Sequence, residues 1–181
     1  MRAFAAGEAL PSVQVRDLAV SGIYAYSGSG ISAIDDKGRL SVPAFLRKDL
    51  ISSSDGRTLC LGKHEKWDCL VGFGLSRKIE MLAEIDKEEA NAIARSEPYD
   101  RDAAGARKFS SLQELSFDAS GRFVLPPMLQ AIGGLKDNVI FHGIGKVFCL
   151  WEPKALLETT SDVPVDRRVV EFHLSELGKK K

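Results

Sequence analysis

Two short phrases in this chain place a carboxylate and a guanidinium four residues apart around a glycine: Asp35-Asp36-Lys37-Gly38-Arg39 and Asp118-Ala119-Ser120-Gly121-Arg122. They share one register, because Asp35, Gly38, Arg39, Pro43 and Leu46 return as Asp118, Gly121, Arg122, Pro126 and Leu129, each 83 positions later. In each copy an apolar strand should end at the aspartate, glycine should supply the positive φ of a tight turn, and arginine should open a second strand that proline stops. A carboxylate at that spacing can hold the arginine fork in place. A held fork suits the clamping of a phosphate or the reading of a guanine edge. A single copy reads more simply as a turn ion pair worth about 0–1 kcal/mol. Recurrence in register weighs toward a surface built to present cations.

Lys+Arg and Asp+Glu both number 25, so formal net charge is zero and any cationic surface must be local. The stretch 37–48 supplies Lys37, Arg39, Arg47 and Lys48 against no acid. The second copy carries Ser120 where the first has Lys37, and Gln130 where the first has Arg47. Arg39 is therefore expected to be the principal cationic contact, with Arg122 contributing less. The Lys179-Lys180-Lys181 run reads as a solvated end.

Nothing in the chain assembles a catalytic constellation. His64, His142 and His173 are never paired at helical spacing, no GxSxG occurs, and Gly143-Ile144-Gly145-Lys146 lacks the spacing of a phosphate loop. Gly28-Ser29-Gly30 is a flexible lead-in. No catalytic residue, metal, cofactor or small-molecule substrate is expected. Cys60, Cys69 and Cys149 lie in apolar runs without CxxC spacing, as buried reduced thiols would. Trp67 and Trp151 suit core or interface packing. No apolar run approaches the ~20 residues of a membrane span, and no secretory signal opens the chain, so a cytoplasmic protein without a membrane partner is expected.

The elements that must hold the motifs follow from periodicity. A strand from residue 30, the first turn and a second strand precede a helix from Pro43, with Leu46 and Leu50 on one face. Asp55-Gly56 marks a turn, and strands follow at 58–61 and 68–73. A helix over 75–95 carries Ile79, Leu82, Ala83, Ala90 and Ile93 as its apolar stripe, with Glu80, Glu84 and Lys87 outward. Glu97-Pro98 should interrupt it, with a helical piece at 103–109 beyond. The second copy repeats the plan: a strand at 112–117, a helix after Pro126 carrying Leu129 and Ile132, a Gly133-Gly134 cap, and strands 139–141 and 147–151 across Gly143-Ile144-Gly145. A helix at 154–158 closes it, and 169–177 reads either as a helix or as a docked tail. The class is α+β, each half ββαββα. We divide the chain into an N-terminal extension (1–27), a first module (28–110), a second module (111–162) and a C-terminal tail (163–181). Modules near 80 residues lie at the lower limit of independent stability, so the halves should pack as one pseudo-symmetric unit.

The pattern Asp-x-Lys-Gly-Arg-Leu-Ser-Val-Pro followed by Leu46-Arg47, with Cys69-Leu70 before the long helix and Cys149-Leu150-Trp151-Glu152 near the end, resembles the MraZ family of bacterial transcriptional regulators. The resemblance covers about residues 28–160 and implies tandem SpoVT–AbrB-type domains, each chain forming a double-split β-barrel. It further implies a ring-shaped homo-oligomer, bound as a nucleoid-associated protein to short direct repeats of double-stranded DNA in the promoter of its own cell-division and cell-wall gene cluster. The DNA-binding arginine of the family's motif falls on Arg39 and Arg122, and Lys37 matches the motif lysine. Asp35, Gly38, Asp118 and Gly121 would shape and orient the turns, and Arg47 would join the contact surface. The N-terminal extension is longer than a typical member's. AbrB-like folds also serve as antitoxins, so a protein-interaction module using its terminal extensions is the alternative, and a purely structural ring is a third.

Overall fold

Six strands, the four central ones rich in buried apolar residues, form one antiparallel sheet, and two three-residue strands at the motifs pair only with each other. The computed structural model describes residues 24–54, 56–159, 163 and 165–179. Residues 1–23 of the expected extension, Asp55 of the Asp55-Gly56 turn, Pro164 and the last two lysines lie outside the described residues.

The order is β1 (Ser29–Ala33), β2 (Arg39–Ser41), α1 (Ala44–Ser54), β3 (Thr58–Lys63), β4 (Leu70–Phe73), α2 (Leu75–Ala94), α3 (Arg101–Phe109), β5 (Gln113–Ser116), β6 (Arg122–Val124), α4 (Pro127–Ile132), β7 (Asn138–Gly143), β8 (Phe148–Trp151), α5 (Pro153–Glu158) and α6 (Arg167–Lys179). Both halves thus show the expected ββαββα order. The large sheet runs β1-β7-β8-β4-β3-β5, and the ribbon is β2-β6. The halves exchange their opening strands: β1 pairs with β7, and β5 pairs with β3. No closed barrel forms among the described residues, because β2 and β6 bond to each other and not to the edges of the sheet.

One face of the sheet is covered by α1 and α4, whose Leu46, Leu50 and Leu129 are fully buried against Leu59, Leu61, Phe141 and Leu150. Leu40 and Phe123 bring the ribbon into this core. The other face packs Trp151, Ile140, Cys69 and Cys149 against Leu156 of α5 and Val170 of α6. The segment 169–177 is therefore helical. All three cysteines are buried and unbridged, and burial pushes the Cys60 thiol up to about 11.

Tyr26, inside the stretch read as an extension, belongs to the fold. It is bridged to Gly145, its hydroxyl lies 2.8 Å from that of Ser53, and it accepts from the Gly74 amide at 2.9 Å. The Ser54 hydroxyl accepts from Leu75 N–H at 3.0 Å. The α2 amides are thus capped from elsewhere in the chain, and the approach is so close that a Cβ on Gly74 would collide with Ser53.

The apolar stripe expected to seat α2 faces the wrong way. Met81, Ile85 and Ala92 make the core contact, whereas Ile79 (72% exposed), Leu82 and Ile93 (70%) stay outside. Glu84, expected outward, is half-buried and bonds both Arg77 Nη atoms at 2.6 and 2.9 Å. Both stripes have helical spacing, so periodicity could not choose between them. The sheet and α3 chose.

Candidate nucleic-acid interface

The two motif turns are superimposable in their bonding. Asp35 Oδ1 accepts from the amides of Lys37 and Arg39, each at 2.9 Å, and Oδ2 accepts from Arg39 Nε at 2.7 Å. Asp118 accepts from the amides of Ser120 at 2.8 Å and Arg122 at 2.9 Å, and from Arg122 Nε at 3.0 Å. In each, glycine N–H bonds the aspartate carbonyl at 2.8 Å, and aspartate N–H bonds the arginine carbonyl at 3.0 and 2.9 Å. Gly38 and Gly121 hold φ of +70° and +82°, a region that L side chains avoid.

This local geometry explains why the residue types recur. The aspartate satisfies turn amides with one oxygen and grips the arginine side chain with the other. The Arg39 amide, then its guanidinium, hold the Asp35 carboxyl below the usual carboxylate range. Asp118 is held down likewise, led by the Arg122 amide. Gripping through Nε leaves the Nη donors of both arginines without a hydrogen bond to any described residue. The Arg39 and Arg122 side chains are 45% and 56% exposed.

The structure brings the two copies together. Arg39 faces Val124, Leu40 faces Phe123 and Ser41 faces Arg122 across the ribbon. Leu40 and Phe123 are buried, so strand alternation sends Arg39, Ser41, Arg122 and Val124 to the outer face. The arginines are diagonal neighbours, roughly 7–8 Å apart at this register. Each turn is also latched to the other copy: Leu125 N–H bonds the Gly38 carbonyl at 2.9 Å, and Val42 N–H bonds the Gly121 carbonyl at 2.8 Å.

Strand exchange rearranges the neighbours inferred along the chain. Lys37 is exposed at the Arg39 end. Arg47, four residues beyond Pro43, instead reaches the second turn: its Nε donates to the Val42 carbonyl at 2.8 Å, and a Cβ on Gly121 would strike its guanidinium. Arg47 is half-buried and braces the Asp118 turn, so the cation count that favoured Arg39 assigned it to the wrong end. Gln130, its counterpart, bonds the Leu135 carbonyl at 3.3 Å. Val124 and Ser41 lie outside the Asp-Gly-Arg signature. Their alternation with Phe123 and Leu40 was the available signal.

Elsewhere, a cavity of about 210 Å³ between β3, β4, α2 and α3 has cationic walls, but Arg77, Lys63 and Lys108 there are already paired with Glu84, Asp68 and Glu65. Among the described residues, no three His, Cys, Asp or Glu side chains gather to hold a metal ion. None of the described helices is long and apolar enough to cross a membrane. Trp67 and Trp151 pack 6.3 Å apart, with His64 stacked on Trp67 at 4.4 Å.

No family model matches the chain. It is similar to proteins named "Transcriptional regulator MraZ" in several bacteria. That of Rhodospirillum rubrum is 31% identical over 133 residues, which are 72% of this chain and 81% of the relative. That of Parvibaculum lavamentivorans is 33% identical over 132 residues, 72% of this chain and 77% of the relative. That of an Anaeromyxobacter species is 31% identical over 152 residues, 81% of this chain and 97% of the relative.

Proposed function

We propose, from the premise that this chain belongs to the MraZ family of transcriptional regulators, that it binds double-stranded DNA with the outer face of the β2–β6 ribbon. The observation that carries this reading is the pairing of two arginines, each gripped through Nε by its aspartate and about half exposed, on one two-stranded ribbon. A ribbon of this width fits the major groove. Arg39 and Arg122 would supply the principal contacts and Lys37 a phosphate contact. Asp35, Gly38, Asp118 and Gly121 would orient the arginines. Arg47 would join the surface at the Asp118 end while bracing its turn.

The finer reading is a ring of several chains on short direct repeats in the promoter of its own cell-division and cell-wall gene cluster. The two modules, 28–110 and 111–162, would form the tandem units of a double-split architecture, an arrangement that strand exchange supports. Zero net charge makes one chain a weak ligand for DNA, so affinity should come from several ribbons acting together. The exposed Ile79, Leu82 and Ile93 on α2 supply an apolar stripe that no described residue covers, as assembly would require.

The test is a salt-titrated binding curve on the DNA upstream of the protein's own gene, alongside light scattering. We expect a multimer larger than a dimer whose log affinity falls linearly with log salt concentration. A multimer with no salt-sensitive DNA affinity would favour the structural ring instead, and a strict monomer that binds its promoter tightly would remove the ring.

A further inference from the structure

The ribbon has two uncharged positions on its outer face, and they differ. Val124 faces Arg39, whereas Ser41 faces Arg122. They are counterparts in the repeat, 83 positions apart, so an evenly duplicated ribbon would carry the same residue at both. Val124 is 61% exposed. Its β-branched shape suits a strand, yet its methyl groups stand in water beside an arginine locked by Asp35.

Residues directly opposite on antiparallel strands have Cβ atoms about 5 Å apart, and base pairs stack at about 3.4 Å. Val124 and Arg39 therefore cover the same or adjoining base pairs. Arginine prefers guanine in the major groove, and an apolar side chain prefers the C5-methyl group of thymine. A serine hydroxyl has no such preference. Lys37 stands at the Arg39 end, whereas Ser120 and the half-buried Arg47 stand at the other.

We propose that Val124 is a specificity-determining residue that reads a thymine methyl group adjoining the base pair gripped by Arg39, and that the Ser41 end lacks this reading. This rests on the ribbon being the DNA face. The pseudo-twofold ribbon would otherwise accept a site in either orientation. Val124 gives it a direction along the DNA.

The experiment selects duplexes for the full-length protein from a random pool, then measures binding with each thymine of the winning site replaced in turn by deoxyuridine, which removes only the C5-methyl. Wild type should lose about fourfold in affinity at one thymine beside the guanine protected by Arg39. Val124→Ser should bind substituted and unsubstituted duplexes equally, with an unchanged salt slope. Ser41→Val should acquire a second methyl-dependent thymine at the Arg122 end. Wild-type indifference to every methyl group, or discrimination that survives in Val124→Ser, overturns the inference. So does a changed oligomer size in Val124→Ser, which would make Val124 a contact between copies of the chain. Arg39→Ala separates the two levels: if it binds like wild type, the ribbon is not the DNA face. If it weakens binding while no methyl group matters, only the role of Val124 falls.

Discussion

At one end of the ribbon the turn glycine Gly38 is half-buried, and a Cβ added there would meet nothing nearer than the Leu125 carbonyl at 3.9 Å; at the other, Gly121 is buried, and a Cβ added there would strike the Arg47 guanidinium and lie 2.8 Å from the Val42 carbonyl. The hydrogen bonds inside the two turns are the same. What differs is the packing laid over them. Identical local chemistry has thus been placed in two environments, one solvated with an extra lysine and a valine, one covered with an arginine and two serines. Duplication has kept the short-range clamp and left its surroundings free to diverge.

The largest effect should come from the glycines. Gly121→Ala incurs both a left-handed backbone penalty and a collision with Arg47 and a backbone carbonyl, and should destabilise the fold by about 3 kcal/mol. Gly38→Ala meets only the backbone penalty, about 1 kcal/mol. Urea denaturation of the two variants measures the gap, and equal losses would show that the cover by Arg47 is not rigid.

Next come the arginines. Sequence neighbours pointed to Arg39 as dominant, but with Arg47 at the other end the two should be closer to equal. Arg39→Ala and Arg122→Ala should each weaken DNA binding by about 1–3 kcal/mol without unfolding the protein. Lys37→Ser should lower the salt slope by about one and leave sequence preference intact. Salt-titrated fluorescence anisotropy with melting curves decides. A large excess of the Arg39 effect would restore the unequal reading, and unfolding of both variants would reduce the motifs to structural turns.

The smallest difference should lie in the aspartates. Each has a folded pKa held below its ordinary value, so the clamp's contribution is present above the ordinary carboxylate range and is lost as pH falls through the depressed value. DNA affinity should therefore show no step from Asp35 or Asp118 between about pH 5 and 8, an ordinary aspartate titrating near 3.9. Carbon-13 NMR of the two carboxyl groups should find both titrating below that value. Sharply different midpoints would mean that the ends differ in electrostatics as well as in packing.

Whatever depends on contacts within a few residues is legible in the sequence. Asp, Gly and Arg at fixed spacing specify the turn because its hydrogen bonds span no more than four residues. Leu46 and Leu50 identify the buried face of α1, and the apolar runs around Cys60, Cys69 and Cys149 announce buried strands, because side-chain period follows directly from backbone geometry. Tertiary structure decided what period and spacing leave degenerate. It set Arg39 opposite Val124, moved Arg47 to the second turn, placed Tyr26 over the start of α2, and turned Met81 and Ile85 inward where Ile79 and Leu82 had an equal claim. Those outcomes depend on which strand of one half pairs with which strand of the other. That choice is made by the burial of a whole sheet, and no window of the chain contains it.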